Sequence, residues 1–182
     1  MVKLLGESPV WITSMRSGGD DLARRIVMET LRLAQSEYIN RRVLRPFEID
    51  GYRVPQDWWL RVCVNESHRD PAVFANPGAF DPDRFAHCRY TTAEYAPFGM
   101  FEHSCLGVQA THALAGAFVR EYCELDWTLC RDAEPEFDGF HWMPSRQLRI
   151  HTRLIALPVA TGYSKPSRVN GAHEHSSPNW PC

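Results

Sequence analysis

The sequence predicts a mainly α fold with small β-sheets, an α+β arrangement. Three observations carry this. Two segments, one ending near residue 36 and one following Leu106, show apolar residues at helical spacing. Several short runs of branched and aromatic residues bounded by turn signals read as strands. Between them, residues 65–98 form a long stretch broken by Pro, Gly, Asn and Asp yet rich in aromatics.

Residues 8–17 have weak helical character, interrupted at Ser17-Gly18-Gly19. Asp20 or Asp21 supplies an N-cap, and Leu22, Ile26, Met28, Leu31 and Leu33 support a helix to about residue 36. Tyr38 to Val43 and Phe47 to Val54 read as strands, the second folded at Asp50-Gly51, a hairpin turn pair. Trp58 to Val64 is a further strand, with one Trp expected in the core and its neighbour exposed.

In residues 65–98, His68-Arg69-Asp70-Pro71, Asn76-Pro77-Gly78 and Asp81-Pro82-Asp83 punctuate a loop. A loop of this length is usually functional or disordered. Phe74, Phe80, Phe85, Tyr90, Tyr95 and Phe98 predict that it is ordered and packed. A helix from about Leu106 to Glu124 follows, with Val108, His112, Ala115 and Val119 on one side. Residues 126–155 suggest short strands, above all Gln147 to Leu154. The tail, 158–182, is rich in Pro, Ser, Gly and Asn and is expected to be disordered.

The chain has 182 residues, 44% hydrophobic and 23% charged, with a net charge of -2. That is enough for one domain with a core, placed at residues 1–157. No block of like charges points to nucleic acid or an anionic membrane surface, and no apolar run is long enough to span a membrane. The N-terminus turns polar too early for a signal peptide. The six cysteines form no C-x-x-C pair and fit no zinc spacing. Together these predict a reducing, cytoplasmic setting without disulfides. Cys123, near Phe118 and Leu125, reads as a small core residue.

Cys105 differs from the other cysteines. It closes the run Tyr95-Ala96-Pro97-Phe98-Gly99-Met100-Phe101-Glu102-His103-Ser104-Cys105-Leu106-Gly107. A glycine-bearing loop leads into it and a helix start follows, so its sulfur is presented rather than buried, and the helix N-terminus favours a thiolate there. A second constellation is Glu29-Thr30-Leu31-Arg32. Residues three apart share a helix face, and such a pair is ordinarily a solvated surface contact. Downstream, Phe80-Asp81-Pro82-Asp83-Arg84-Phe85 offers an Arg whose stem aromatic neighbours can bury and whose fork can meet a carboxylate.

These motifs, in this order, resemble the cytochrome P450 family, the haem-thiolate monooxygenases: an E-x-x-R helix, small strands, a P-x-R-F loop, the cysteine loop and a helix. The resemblance covers roughly residues 8–155 and is to the C-terminal, proximal part of that fold. It implies that Glu29, Arg32 and Arg84 form one buried structural triad. It implies that Cys105 is the axial ligand of a haem b iron, that Phe98 packs beside the sulfur, and that Pro97 and Gly99 shape the turn against the haem. By the same resemblance, Gly107 allows close approach of the following helix, and His103 and Arg41 hold the two propionates, with Arg42 the rival of Arg41.

The implied reaction inserts one oxygen atom of O₂ into a small organic substrate. Electrons come from a redox partner, a ferredoxin or a flavoprotein reductase. A haem-thiolate peroxygenase, lyase or isomerase, or a truncated non-catalytic remnant, are the alternatives. No catalytic acid–threonine pair is identified in these residues. Substrate contacts are expected near Tyr38–Asn40 and around Phe140–Met143. One departure stands out: Phe101 occupies a place where the family usually has Gly and sometimes Asp, so a reshaped loop or reduced haem affinity is expected there. His112 is expected to pack rather than ligate, and the pair His173 and His175 to belong to the polar tail.

Overall fold

The longest helix supplies half of the main core cluster. In the computed structural model, which describes residues 1–35, 38–131, 134–137 and 142–153, helix α1 (Val2–Glu7) leads into α2 (Val10–Ala34). Gly19 kinks α2, at φ 62 and ψ -166. The backbone leaves helical geometry there, so the expected interruption at Ser17–Gly19 is present: two helical segments meet at a kink. Leu22, Ala23, Ile26, Val27 and Leu33 are buried along it, together with Glu29 and Arg32.

Four strands follow. Strand β1 (Tyr38–Arg42) pairs antiparallel with β4 (Trp59–Cys63). Between them, β2 (Phe47–Ile49) and β3 (Tyr52–Val54) form a hairpin. Asp50 and Gly51 both take positive φ, 51 and 78, the two left-handed residues of the tight turn that their sequence predicts. Trp58 and Trp59 are both exposed. The expectation of one core Trp is corrected, because β1 and β4 make only a two-stranded sheet and β4 buries none of its five residues.

The long connection is ordered. It holds the short helices α3 (Val64–Ser67) and α4 (Arg84–His87) around an aromatic cluster. Phe74 lies 4.6 Å from Tyr90, and Phe85 lies 5.5 Å from Tyr90 and 5.1 Å from Tyr95. Helix α5 (Val108–Cys123) then packs along α2. Val119, Tyr122 and Cys123 join Leu5, Met15, Leu22, Ala23, Ile26, Val27 and Trp127 in one core.

Strand β5 (Asp126–Arg131) pairs with β8 (Arg149–Arg153), and β6 (Glu136–Phe137) with β7 (Trp142–Met143). The 158–182 tail, with His173 and His175, and the substrate-contact expectation at Phe140 lie outside the described residues. The five described cysteines are free. No helix among the described residues is long and apolar enough to cross a membrane.

Candidate functional site

Glu29 and Arg32 lie one helical turn apart on the buried face of α2, both 0% exposed. Their ion pair has two bonds: Nε donates to Glu29 Oε2 and Nη2 to Oε1, each at 2.8 Å. Arg84, at the start of α4, donates from Nε to the same Oε1 at 3.1 Å. The sequence-predicted triad is thus brought together. An ion pair this deep is not the solvated surface pair that its spacing alone would suggest.

Both guanidinium groups also donate to backbone carbonyls. Arg32 donates to the carbonyls of His68, Pro77 and Ala79, and Arg84 to that of Ala75. Glu29 Oε1 also accepts the Asp81 N–H at 2.9 Å. Carbonyls that would otherwise be orphaned in an irregular segment gain charged partners. One cluster of three charges therefore fixes the path of residues 68–81.

The cysteine loop rests on that frame through three consecutive residues. The Tyr95 hydroxyl donates to Met28 O at 2.8 Å. The Ala96 N–H donates to His68 Nε2 at 3.0 Å. The Gln35 amide donates to Pro97 O at 3.0 Å. Beyond these ties, Gly99 N–H bonds Ala96 O and Cys105 N–H bonds Phe98 O at 2.9 Å. Gly99 has φ 78, and a Cβ there would sit 3.2 Å from His103 O, so glycine is needed on two grounds.

Phe101 takes φ 53 and is 82% exposed at the start of a 3-10 turn, Phe101–His103. Its bulk does not keep the backbone from a glycine-like conformation. The side chain projects outward, and the backbone adopts the left-handed conformation that glycine takes most easily, at a cost in strain for a residue with a Cβ.

Cys105 is exposed, two residues before the Gly107 N-cap of α5. A Cβ on Gly107 would lie 3.6 Å from the sulfur, an ordinary contact distance. Cys105 and His103 share a groove of about 560 Å³ with Leu31, Gln35, Ile39, Arg41, Phe98 and Gly99, among others. Arg41, bonded to Asn40 O, is on the groove wall. Arg42 is engaged elsewhere, with Asp57 at 2.6 Å. Strand alternation separates the two arginines.

His112 meets the Phe98 ring edge-on at 5.5 Å, a packing contact, and burial lowers its pKa. Burial also holds the Tyr95 phenol far above its usual range. The groove offers a thiol, an apolar wall from Leu31, Ile39 and Phe98, and the cationic or titratable Arg41 and His103. This donor set fits haem, a flat apolar group with an iron at its centre and anionic arms. The sequence marks Tyr95 as a packed aromatic and His68 as part of the loop, and does not mark Gln35; the tethering role of all three is missed. Their partners lie 28 to 67 positions away, beyond any local pattern.

The family model "Cytochrome P450" matches residues 21–115, a span that includes Glu29, Arg32, Arg84 and Cys105. The chain belongs to the cytochrome P450 family. Members of that family bind haem. Among curated P450 relatives, Cytochrome P450 26C1 of Homo sapiens is 33% identical over 65% of this chain and 24% of its own length. Abscisic acid 8'-hydroxylase 1 of Arabidopsis thaliana is 33% identical over 56% of this chain and 21% of its own. Cholesterol 16,22-dihydroxylase of Paris polyphylla is 28% identical over 75% and 29%. The chain thus spans under a third of the length of these P450 relatives. Among solved P450 structures, a retinoic acid-bound cyanobacterial enzyme superposes with a TM-score of 0.72, at 22% identity, over 82% of this chain and 40% of its own. The fold is therefore that of a part of a P450.

Proposed function

We propose that the chain provides the haem-binding, thiolate-bearing portion of a cytochrome P450 monooxygenase. One juxtaposition carries the reading: Cys105, His103, Phe98 and Arg41 line one groove, beside the buried Glu29–Arg32–Arg84 network. In this reading the Cys105 sulfur would hold the iron of a haem b. Arg41 and His103 neutralise its two propionates. Leu31, Ile39 and Phe98 keep water from its edge, and a drier surround strengthens the charge interactions of the groove. Gly99 keeps the turn clear of a side chain, and Gly107 does the same at the start of α5.

When bound, haem supplies the O₂ chemistry of the family, and a thiolate ligand favours O–O cleavage. The triad acts indirectly, holding the chain segment that precedes the loop, so that the sulfur is positioned before ligand arrives. The substrate is a small organic molecule that gains one oxygen atom, and electrons come from a ferredoxin or a flavoprotein reductase. Residues 1–157 form the haem-binding unit.

Equilibrium haem titration of the purified chain tests the assignments. Wild-type protein takes up haem, Cys105→Ala changes the ligation, and Arg41→Ala and His103→Ala weaken uptake. Arg42→Ala leaves it at the wild-type level. Equal losses in Arg41→Ala and Arg42→Ala would reject the assignment of Arg41.

A further inference from the structure

We propose that His68 is a positioning residue for the cysteine loop. It grips Arg32 with its backbone and Ala96 with its ring, and so couples the buried triad to the turn that presents Cys105. Its carbonyl accepts from Arg32 Nη1 at 2.8 Å. Its Nε2 accepts the Ala96 N–H at 3.0 Å. Tyr95 and Gln35 also tie the loop to α2, whereas His68 has one hand on the triad and the other on the loop.

The tautomer follows from the bond. A nitrogen that accepts an N–H carries no proton, so in the neutral ring the proton is on Nδ1. Nδ1 is buried and has no hydrogen-bond partner among the described residues. A phenyl ring of similar size would fill the same space without that cost. What the imidazole adds, and a phenyl ring does not, is the acceptor for Ala96.

The ring is also held in place. It stacks on Tyr95 at 5.1 Å and meets Phe74 edge-on at 6.1 Å, while Phe74 lies under the Arg32 guanidinium at 5.2 Å. From Ala96 the order passes on through two backbone bonds. Ala96 O accepts the Gly99 N–H, and Phe98 O accepts the Cys105 N–H.

Two variants separate the acceptor from the packing. His68→Phe fills the volume and cannot accept. His68→Gln can place its Oε1 near the position of Nε2 and accept the same N–H. Amide hydrogen exchange of the full chain without haem is the first readout. In His68→Phe the Ala96 and Gly99 amides exchange at least about tenfold faster, while Ile26 and Val119 in the core stay protected. In His68→Gln the Ala96 protection returns. If His68→Phe fails to fold, His68→Gln decides against wild type: retained Ala96 protection supports the acceptor role, and lost protection overturns it.

The second readout is the carbon-monoxide spectrum of the reduced, haem-loaded chain. This arm rests on the reading of Cys105 as iron ligand. His68→Phe loses part of the red-shifted thiolate Soret band and His68→Gln recovers it. Failure of wild-type protein to take up haem would count against that reading, and the exchange data would still decide the role of His68. Unchanged Ala96 exchange in His68→Phe, or equal loss in both variants, would overturn the proposal.

Discussion

Arg32 and Glu29 face each other through two 2.8 Å bonds in a place that water does not reach. Removing Arg32 leaves the Glu29 carboxylate with only Arg84 and the Asp81 N–H, both on Oε1. Arg32→Ala leaves a buried carboxylate and frees the carbonyls of His68, Pro77 and Ala79, so a loss of about 3–5 kcal/mol is expected. Arg32→Lys keeps the charge but not the planar fork, and falls between the two. Chemical unfolding curves measure this. A loss for Arg32→Ala within the range of an exposed pair, under about 1 kcal/mol, would contradict the role given to the network.

Phe101 predicts a gain. A left-handed non-glycine residue costs about 1–2 kcal/mol, and an 82% exposed ring recovers little by burial. Glycine relieves that strain and loses about 0.4–1 kcal/mol through its freer unfolded chain. Phe101→Gly is therefore expected to be more stable than wild type, by up to about 1.6 kcal/mol. Phe101→Ala retains the strain and shows no such gain. Thermal melts of the two variants compare them directly, and equal midpoints would show that the backbone at Phe101 is not strained.

Gly99 predicts the reverse. Alanine there meets both the positive φ of 78 and the His103 carbonyl, 3.2 Å from the added Cβ. A loss of about 1–3 kcal/mol is expected, with faster exchange of the Cys105 amide. The equivalent change at Gly107, whose Cβ would only touch the Cys105 sulfur at 3.6 Å, costs less. If the two alanine variants melt together, the turn at Gly99 is not the constraint.

His68 gives the chain an acid sensitivity. Burial, and then the nearby Arg32 guanidinium, push its pKa down from 6.5 to about 4. Between those values the unfolded chain binds a proton that the folded chain refuses, so stability rises with pH. The contribution is fully present above pH 6.5 and is lost as pH falls towards 4. Denaturant midpoints at pH 7 and pH 5 measure the slope in wild type and in His68→Gln. The variant should lose less on acidification. Equal slopes would mean that His68 is not the group that titrates.

These residues also show what the sequence makes legible. The triad is readable because Glu29 and Arg32 are local, one helical turn apart, and Arg84 sits between aromatics in a proline-marked loop. The hairpin is readable because Asp50 and Gly51 name their own turn. Trp58 and Trp59 are not readable in this way. Their composition says core, and only the pairing of β4 with a single strand reveals that both are exposed. The His68 to Ala96 bond is hidden for a different reason: it joins residues 28 apart through an N–H that every residue except proline possesses. Phe101 is hidden for a third reason: its size is legible in the sequence and its direction is not, and with the ring outward the backbone takes the left-handed turn at a cost in strain.

The central claim is that the Cys105 sulfur binds haem iron. Iron-edge X-ray absorption of the haem-loaded chain tests it most directly, because five other cysteines are present in the sequence. The account predicts one sulfur neighbour at iron in the wild-type chain and none in Cys105→Ala. A wild-type iron with only nitrogen and oxygen neighbours, or a sulfur neighbour that persists in Cys105→Ala, would contradict it.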